Sequence, residues 1–222
     1  LQERIDEKKV FIKETEEKIN ELLERCFDSE NIPPVYMGAF PQGPDGEVLP
    51  LEWDVLGHKD GYVQLVTTHI IKQMKWTDAV EGTPWSDSDV RKWLNGDFYG
   101  NAFNDEERAM IVEKELANPG CPQYTTPASG NTRDRVFLPS ISEVRAFSKF
   151  DIDRIAKPTE YSKKDLYVNE ENGASYWWLR NNGGNMYNAS IVNFNGYIYE
   201  YGFYINEDNY GVRPNIWIKA FN

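Results

Sequence analysis

From residue 35 onward, strong turn signals divide short β-rich runs at both ends of the chain, and helix caps fall only between them. That distribution confines the fold to mixed α and β with small antiparallel hairpins. Pro41-Gln42-Gly43-Pro44-Asp45-Gly46 separates the run Val35–Phe40 from Leu51–Leu56. Lys59-Asp60-Gly61 then leads into Tyr62–Thr67, a run rich in β-branched residues. Near the C-terminus, Asn195-Gly196 lies between Ala189–Asn193 and Tyr197–Tyr201, which predicts a two-residue hairpin turn.

Between these hairpins the signals are helical. Trp85–Gly96 carries a capping Ser or Asp and is expected to end at Gly96. Asn104-Asp105-Glu106-Glu107 opens a short helix bearing Met110 and Ile111, with its acidic residues at the positive end of the helix dipole. Pro139–Phe147 reads as a capping box begun by Ser140 or Ser142. Residues 119–134, rich in Pro, Thr, Ser, Gly and Asn, read as a surface loop, and 151–172 as a polar link.

Residues 1–32 form a separate unit. They lack Pro and Gly up to Phe27 and place Ile5, Ile12, Ile19 and Cys26 seven apart, which predicts an amphipathic helix that Pro33-Pro34 stops. Lys8 and Thr15 interrupt the other heptad position, so two readings stand: a helix packed on the domain, or a coiled-coil segment that makes a homo-oligomer. Residues 35–222 are the second unit.

A net charge of −12 would repel a phosphate backbone and an anionic membrane surface, and no apolar run approaches the roughly 20 residues of a bilayer span. Nucleic acid and membrane insertion are therefore not expected. Cys26 and Cys121 read as free, and His58 and His69 lack neighbours at ligand spacing, so neither a metal nor a cofactor is expected.

Residues 176–215 carry nine Asn, seven Tyr and two Phe. Tyr, Asn, Ser and Gly form the palette of recognition surfaces, since Tyr offers contact area with few rotatable bonds and Asn offers adaptable hydrogen bonding. Tyr197, Tyr199 and Tyr201 alternate with Ile198, so their rings are expected on one face. Either that face is wet and binds, or the rings form a structural ladder. A core would prefer Val, Leu and Ile, and buried hydroxyls would all need partners, which favours the wet face.

Seven stretches carry a family resemblance: Tyr36-Met37-Gly38-Ala39-Phe40-Pro41-Gln42, Leu51–Leu56, Trp85–Tyr99, Ala102–Glu107, Asp134–Ser140, Tyr176-Trp177-Trp178-Leu179-Arg180 and Gly211–Trp217. In order and spacing they resemble a bacterial and phage family of unknown-function domains. That family has the formylglycine-generating-enzyme type of C-type lectin fold and includes variable proteins of diversity-generating retroelements. The resemblance implies an α+β, C-type lectin-like domain with short helices around small antiparallel sheets, preceded here by the N-terminal helix. It further implies a ligand-binding module displayed on a cell surface or phage particle. Adenine-directed mutagenesis would diversify codons near its C-terminus, Asn codons giving Tyr, Asp, Ser, Phe and Ile.

Carried onto this chain, the variable set is Asn181, Asn182, Asn185, Tyr187, Asn188, Asn193, Phe194, Asn195, Tyr197, Tyr199, Tyr201, Phe203, Tyr204, Asn206, Asp208, Asn209 and Tyr210. Met186, Glu200 and Glu207 depart from the palette. The expected partner is a protein or a glycan, protein suiting a broad Tyr face better. A fixed-specificity surface or a phage structural or attachment module is the alternative. Formylglycine-type enzyme chemistry is less expected, because it looks to a cysteine pair in the C-terminal half and only Cys121 could serve. Calcium is not expected, Glu207-Asp208-Asn209 being a loose acidic cluster.

Trp53, Trp85, Trp93, Trp177, Trp178 and Trp217 lie in the matched stretches and read as core. Arg180 and Arg213 are expected to pair with carboxylates, with Glu52, Asp54, Asp87 and Asp89 as candidates.

Overall fold

The computed structural model describes residues 34–220, and those from Val35 onward belong to one unit. The N-terminal helix with its heptad, and Cys26, lie outside the described residues. What is described is α+β, mostly β with a few short helices and small sheets.

The first hairpins form where the turn signals put them. Strands β1 (Val35–Pro41) and β2 (Val48–Lys59) pair antiparallel. Asp60 and Gly61 both take positive φ, 52° and 77°, to reverse β2 into β3 (Tyr62–Thr67). Positive φ at both central positions is the geometry that matches hairpin twist, and Asp-Gly tolerates it. A short strand β4 (Lys72–Gln73) leaves this sheet for another.

The helical middle differs from its expected end points in one place. Ser88 caps helix α1 (Asp89–Trp93), its hydroxyl accepting from Arg91 N. Gly96 does not end the helix: a π-turn over Leu94–Phe98 carries the chain through it into α2 (Tyr99–Ala102). Val90, Leu94, Phe98 and Ala102 are all buried, and that continuous apolar stripe holds the helix past a residue that only weakly disfavours it. Helix α3 (Asp105–Met110) opens with a capping box between Asn104 and Glu107. The loop that follows is not uniformly on the surface. Strands β5 (Lys114–Leu116) and β6 (Thr132–Asp134) frame it, Asn118 and Cys121 are buried within it, and β7 (Val136–Phe137) follows. Ser140, rather than Ser142, caps helix α4 (Ile141–Phe147), with Glu143 completing the box.

Five strands from the C-terminal stretch complete the architecture: β8 (Trp177–Asn182), β9 (Asn188–Val192), β10 (Ile198–Tyr204), β11 (Gly211–Val212) and β12 (Asn215–Lys219). One sheet has the order β1-β2-β3-β12-β7, so the last strand returns to pair with β3 and β7. The other has the order β10-β9-β8-β11-β4, which leaves β10 at an edge.

Five tryptophans anchor the core, and each indole N–H donates to a partner. Trp53 bonds Met37 O at 2.8 Å, Trp76 Leu179 O at 3.1 Å, Trp85 Asp134 Oδ2 at 3.0 Å, Trp177 Arg154 O at 3.2 Å and Trp178 Met74 O at 2.9 Å. These bonds tie segments far apart in sequence, and they satisfy the polar handle that a buried Trp brings with it. Trp76 thus joins the core from outside the matched stretches, whereas Trp93 and Trp217 are only half-buried.

The two arginines are buried and paired as expected in kind, though one partner differs. Arg213 donates to Asp54 Oδ2 at 2.9 Å and to Thr67 O at 2.7 Å, while burial lowers its guanidinium from the usual value and Asp54 opposes that. Arg180 pairs with Glu143, which none of the expected carboxylates replaces, and also bonds Leu138 O and Asn118 Oδ1. Glu143 stands at N3 of the α4 capping box, so one carboxylate serves both the helix start and the buried cation.

Candidate ligand-binding face

The Tyr- and Asn-rich stretch splits between interior and surface according to strand position. Strand β8 is buried at every residue. Trp177 and Leu179 enter one apolar cluster with Ile141, Val144 and Ile198, while Trp178, on the opposite face, enters the other with Ile191 and Val212. A strand with covered faces leaves no room for free polar groups, so its asparagines must be bonded. Asn181 accepts from Ile141 N at 2.8 Å and donates to Pro119 O at 3.1 Å. Asn182 donates to Thr83 O at 2.8 Å, and Asn188, at the start of β9, donates to Gly202 O at 3.2 Å.

Four of the expected contact residues are therefore interior: Asn181, Asn182, Asn188 and Tyr210. Tyr210 packs its ring 4.3 Å from Trp178, and burial pushes its phenol well above the ordinary tyrosine range. These are corrections, with a shared cause. Asn181 and Asn182 tie loops to the sheet, Asn188 ties β9 to β10, and Tyr210 packs beneath Phe203.

Strand β10 is the opposite case. Tyr187 just before β9, Tyr197 in the hairpin loop, and Tyr199, Tyr201, Phe203 and Tyr204 on β10 are all exposed, from 38% for Phe203 to 60% for Tyr204. Ile198 alone among the large side chains of β10 is buried. The expected hairpin forms, but its loop is wider than a two-residue turn. Asn193 N bonds Tyr197 O at 2.9 Å and Gly196 N bonds Asn193 O at 2.8 Å, with Gly196 at φ 81°. This is a three-residue loop with glycine in the left-handed position. The Asn193 side chain stiffens it by accepting from Asn195 N and Tyr197 N.

The three tyrosines do not form one regular ladder. A bulge shifts the β9–β10 register between Tyr199 and Phe203, and Gly202 at φ 73° sits where a Cβ would lie 2.0 Å from Ala189 O. Tyr201 lies within that bulge and packs edge-on against Tyr124 at 5.4 Å. Tyr199 instead meets Phe203 at 5.3 Å, and Phe203 meets Tyr210 at 5.3 Å. From Tyr210 the ring contacts continue to Tyr176, then Phe194 and Tyr167, all within 6.0 Å centroid to centroid. An unbroken aromatic row thus runs from the edge strand across the sheet end.

The remaining expected residues divide as follows. Asn185, Asn195, Asn206, Asp208 and Asn209 are exposed, while Asn193 and Phe194 are half-buried. Of the residues outside the palette, Glu200 has a structural explanation. Its carboxylate pairs with Arg145 and lies 3.5 Å from the Cys121 thiol, and its carbonyl accepts from Ser190 Oγ. Burial raises the Cys121 thiol above its ordinary value, and the Glu200 carboxylate acts in the same direction. Met186 is fixed through its backbone, its carbonyl accepting from Thr83 N.

Sequence reasoning missed Tyr124, Tyr167, Phe150 and Ile152 as parts of this surface. Phe150 and Ile152 are exposed beside Asp151, whose carbonyl touches Gly196, and Arg154 holds the hairpin loop by donating to Gly196 O at 3.2 Å. Isolated large apolar residues within polar stretches were the only signal available. Among the described residues no group of three or more His, Cys, Asp or Glu converges as a metal site would require, and no helix is long and apolar enough to cross a membrane.

A family model described as "Domain of unknown function (DUF6273)" matches residues 60–220. No curated protein and no solved structure matches the chain.

Proposed function

The chain belongs to the DUF6273 family of domains of unknown function, and from that premise we propose that it is a ligand-binding domain whose contact surface is the aromatic face of the β9–β10 hairpin. One observation carries the reading: six aromatic side chains are exposed on and beside a hairpin that a buried, hydrogen-bonded scaffold holds in place. Large aromatic side chains gathered at one exposed hairpin are costly for a protein to keep without a use, and Tyr loses little conformational freedom on binding.

The finer reading is a C-type lectin-like scaffold of the formylglycine-generating-enzyme type, serving as a variable protein of a diversity-generating retroelement and displayed on a cell or phage surface. Its support is the motif order quoted above, the short helices around small antiparallel sheets, and the way the exposed positions are filled with Tyr, Asn, Asp and Phe. In this reading diversification falls on Asn185, Tyr187, Asn195, Tyr197, Tyr199, Tyr201, Phe203, Tyr204, Asn206, Asp208 and Asn209, and spares the bonded Asn181, Asn182 and Asn188. The domain acts by binding and not by catalysis.

The test compares the wild-type domain with the Tyr197→Ala/Tyr199→Ala/Tyr201→Ala variant on glycan and protein arrays, alongside thermal melts. Loss of every array signal at a Tm within about 3 °C of wild type supports the reading. Retained signals, or an unfolded variant, overturn it. Sequencing the flanking DNA for a reverse transcriptase and a near-copy of the 176–215 coding segment tests diversification separately.

A further inference from the structure

Beside the aromatic row, at the end of β10 nearest Tyr187 and Tyr204, the charges are one-sided. Loop 77–83 is fastened there by Thr77 N to Ile205 O at 3.0 Å and Thr83 N to Met186 O at 3.2 Å, which seats Gly82 against Met186 and leaves Glu81, the next residue back, exposed on that loop. Glu207 follows Tyr204 and donates its N–H to Tyr204 O at 3.1 Å. Asp208 is drawn against β4 by Gln73, whose side chain donates to the Asp208 carbonyl. Asp208 also lines an open cleft of about 320 Å³, shared with Gln73, Met74, Lys75, Asp78 and Asp89.

The cations of this region are already engaged. Lys75 pairs with Asp78 at 2.9 Å and attracts Asp208 at longer range, Lys92 pairs with Asp89 at 3.0 Å, Lys72 lies over the Trp93 ring, and Arg145, at the other flank of the row, pairs with Glu200. No ion pair among the described residues holds Glu81, Glu207 or Asp208. The whole chain carries −12, so the local excess of carboxylates adds to a field of the same sign.

We infer that the occupant of this face is a cationic polypeptide segment, one that sets Lys or Arg beside apolar side chains. The inference rests on the reading of β10 as a binding face and adds the chemistry of the partner. Apolar side chains cover the rings of Tyr199, Phe203 and Tyr204. The guanidinium or ammonium groups lie over ring faces and reach Glu81, Glu207 and Asp208, where ring quadrupole and carboxylate attract the same charge. A neutral glycan would bond its hydroxyls to the same carboxylates but gain nothing from their net charge, so its binding would be nearly independent of salt. An anionic partner would be repelled by them.

A random 12-residue peptide library displayed on phage is panned on the wild-type domain. It is then panned on the Glu81→Gln/Glu207→Gln/Asp208→Asn variant and on the Tyr197→Ala/Tyr199→Ala/Tyr201→Ala variant. The expected result is enrichment of net-positive peptides whose affinity falls about tenfold or more in the carboxylate variant, with most of the salt dependence removed. Neutral or acidic peptides that still require the three tyrosines overturn the cationic partner and leave the binding face standing. Cationic peptides indifferent to the tyrosines overturn the binding face. Absence of any enriched peptide overturns the polypeptide partner, and the glycan array then decides whether the face binds at all.

Discussion

Strands β8 and β10 belong to one sheet, one strand apart, and come from the same Tyr-, Trp- and Asn-rich stretch, yet one is buried at every residue and the other exposes nearly every large side chain. The difference lies in position. β8 is central, so its side chains must satisfy two covered faces, and its polar residues survive there by bonding Ile141, Pro119 and Thr83. β10 is an edge strand whose only deep anchor among large side chains is Ile198. Similar composition therefore carries opposite meanings: in β8 an Asn is a cross-link, and in β10 a Tyr is a contact surface. The edge itself is managed as edges must be, with a glycine bulge and the 121–126 loop, whose Thr126 bonds Gly183 O and whose Tyr124 packs on Tyr201.

The contrast is sharpest under substitution. Trp178→Ala in β8 should cost about 4 kcal/mol, from a large cavity and a Met74 carbonyl left without its donor, measured by chemical denaturation. A loss below about 1 kcal/mol would mean the β8 interior is not packed as described.

Gly202→Ala tests whether β10 is fixed in backbone even though its side chains are free. A left-handed φ and a Cβ 2.0 Å from Ala189 O predict a loss of about 2–3 kcal/mol, seen as a lower denaturation midpoint. Next, Asn181→Ala removes both of its bonds and should cost about 2 kcal/mol. Asn195→Ala, exposed at the hairpin loop, should change stability by less than about 0.5 kcal/mol. Equal effects would erase the division between interior and surface asparagines.

Alkaline pH offers a weaker test. The Tyr210 phenol is raised above its ordinary value of 10.0 by burial first, then by Glu207 and Tyr176. A raised pKa contributes stability that is fully present below the unfolded value and lost as pH rises toward the folded one. Stability should therefore begin to fall near pH 10, and Tyr210→Phe should reduce that fall. An identical pH profile in the variant would show that Tyr210 is not buried. Smallest of all, Tyr199→Ala should leave stability within about 0.5 kcal/mol of wild type, and a larger loss would place its ring in the core.

Much of the fold was legible locally. Asp60-Gly61, the Asn104–Glu107 and Ser140–Glu143 capping boxes, and the Ser88 cap act through neighbours within four residues, so the amino-acid order alone specifies them. Long-range facts were legible only in kind. A pairing of Arg213 with Asp54 was among the possibilities, but Arg180 found Glu143, and Trp76 reached Leu179 across 103 positions. Gly96 misled because a buried apolar stripe outweighed its weak preference to end a helix.

In the binding stretch the sequence by itself determined that aromatics and asparagines are concentrated around a glycine-turned hairpin, because turn chemistry and side-chain alternation are local properties. Only the tertiary structure decided which of them meet water. Exposure depends on whether a strand has neighbours on both sides and on both faces, and Asn181 in β8 and Tyr199 in β10 differ in that alone: one lies at the sheet's centre, the other at its edge.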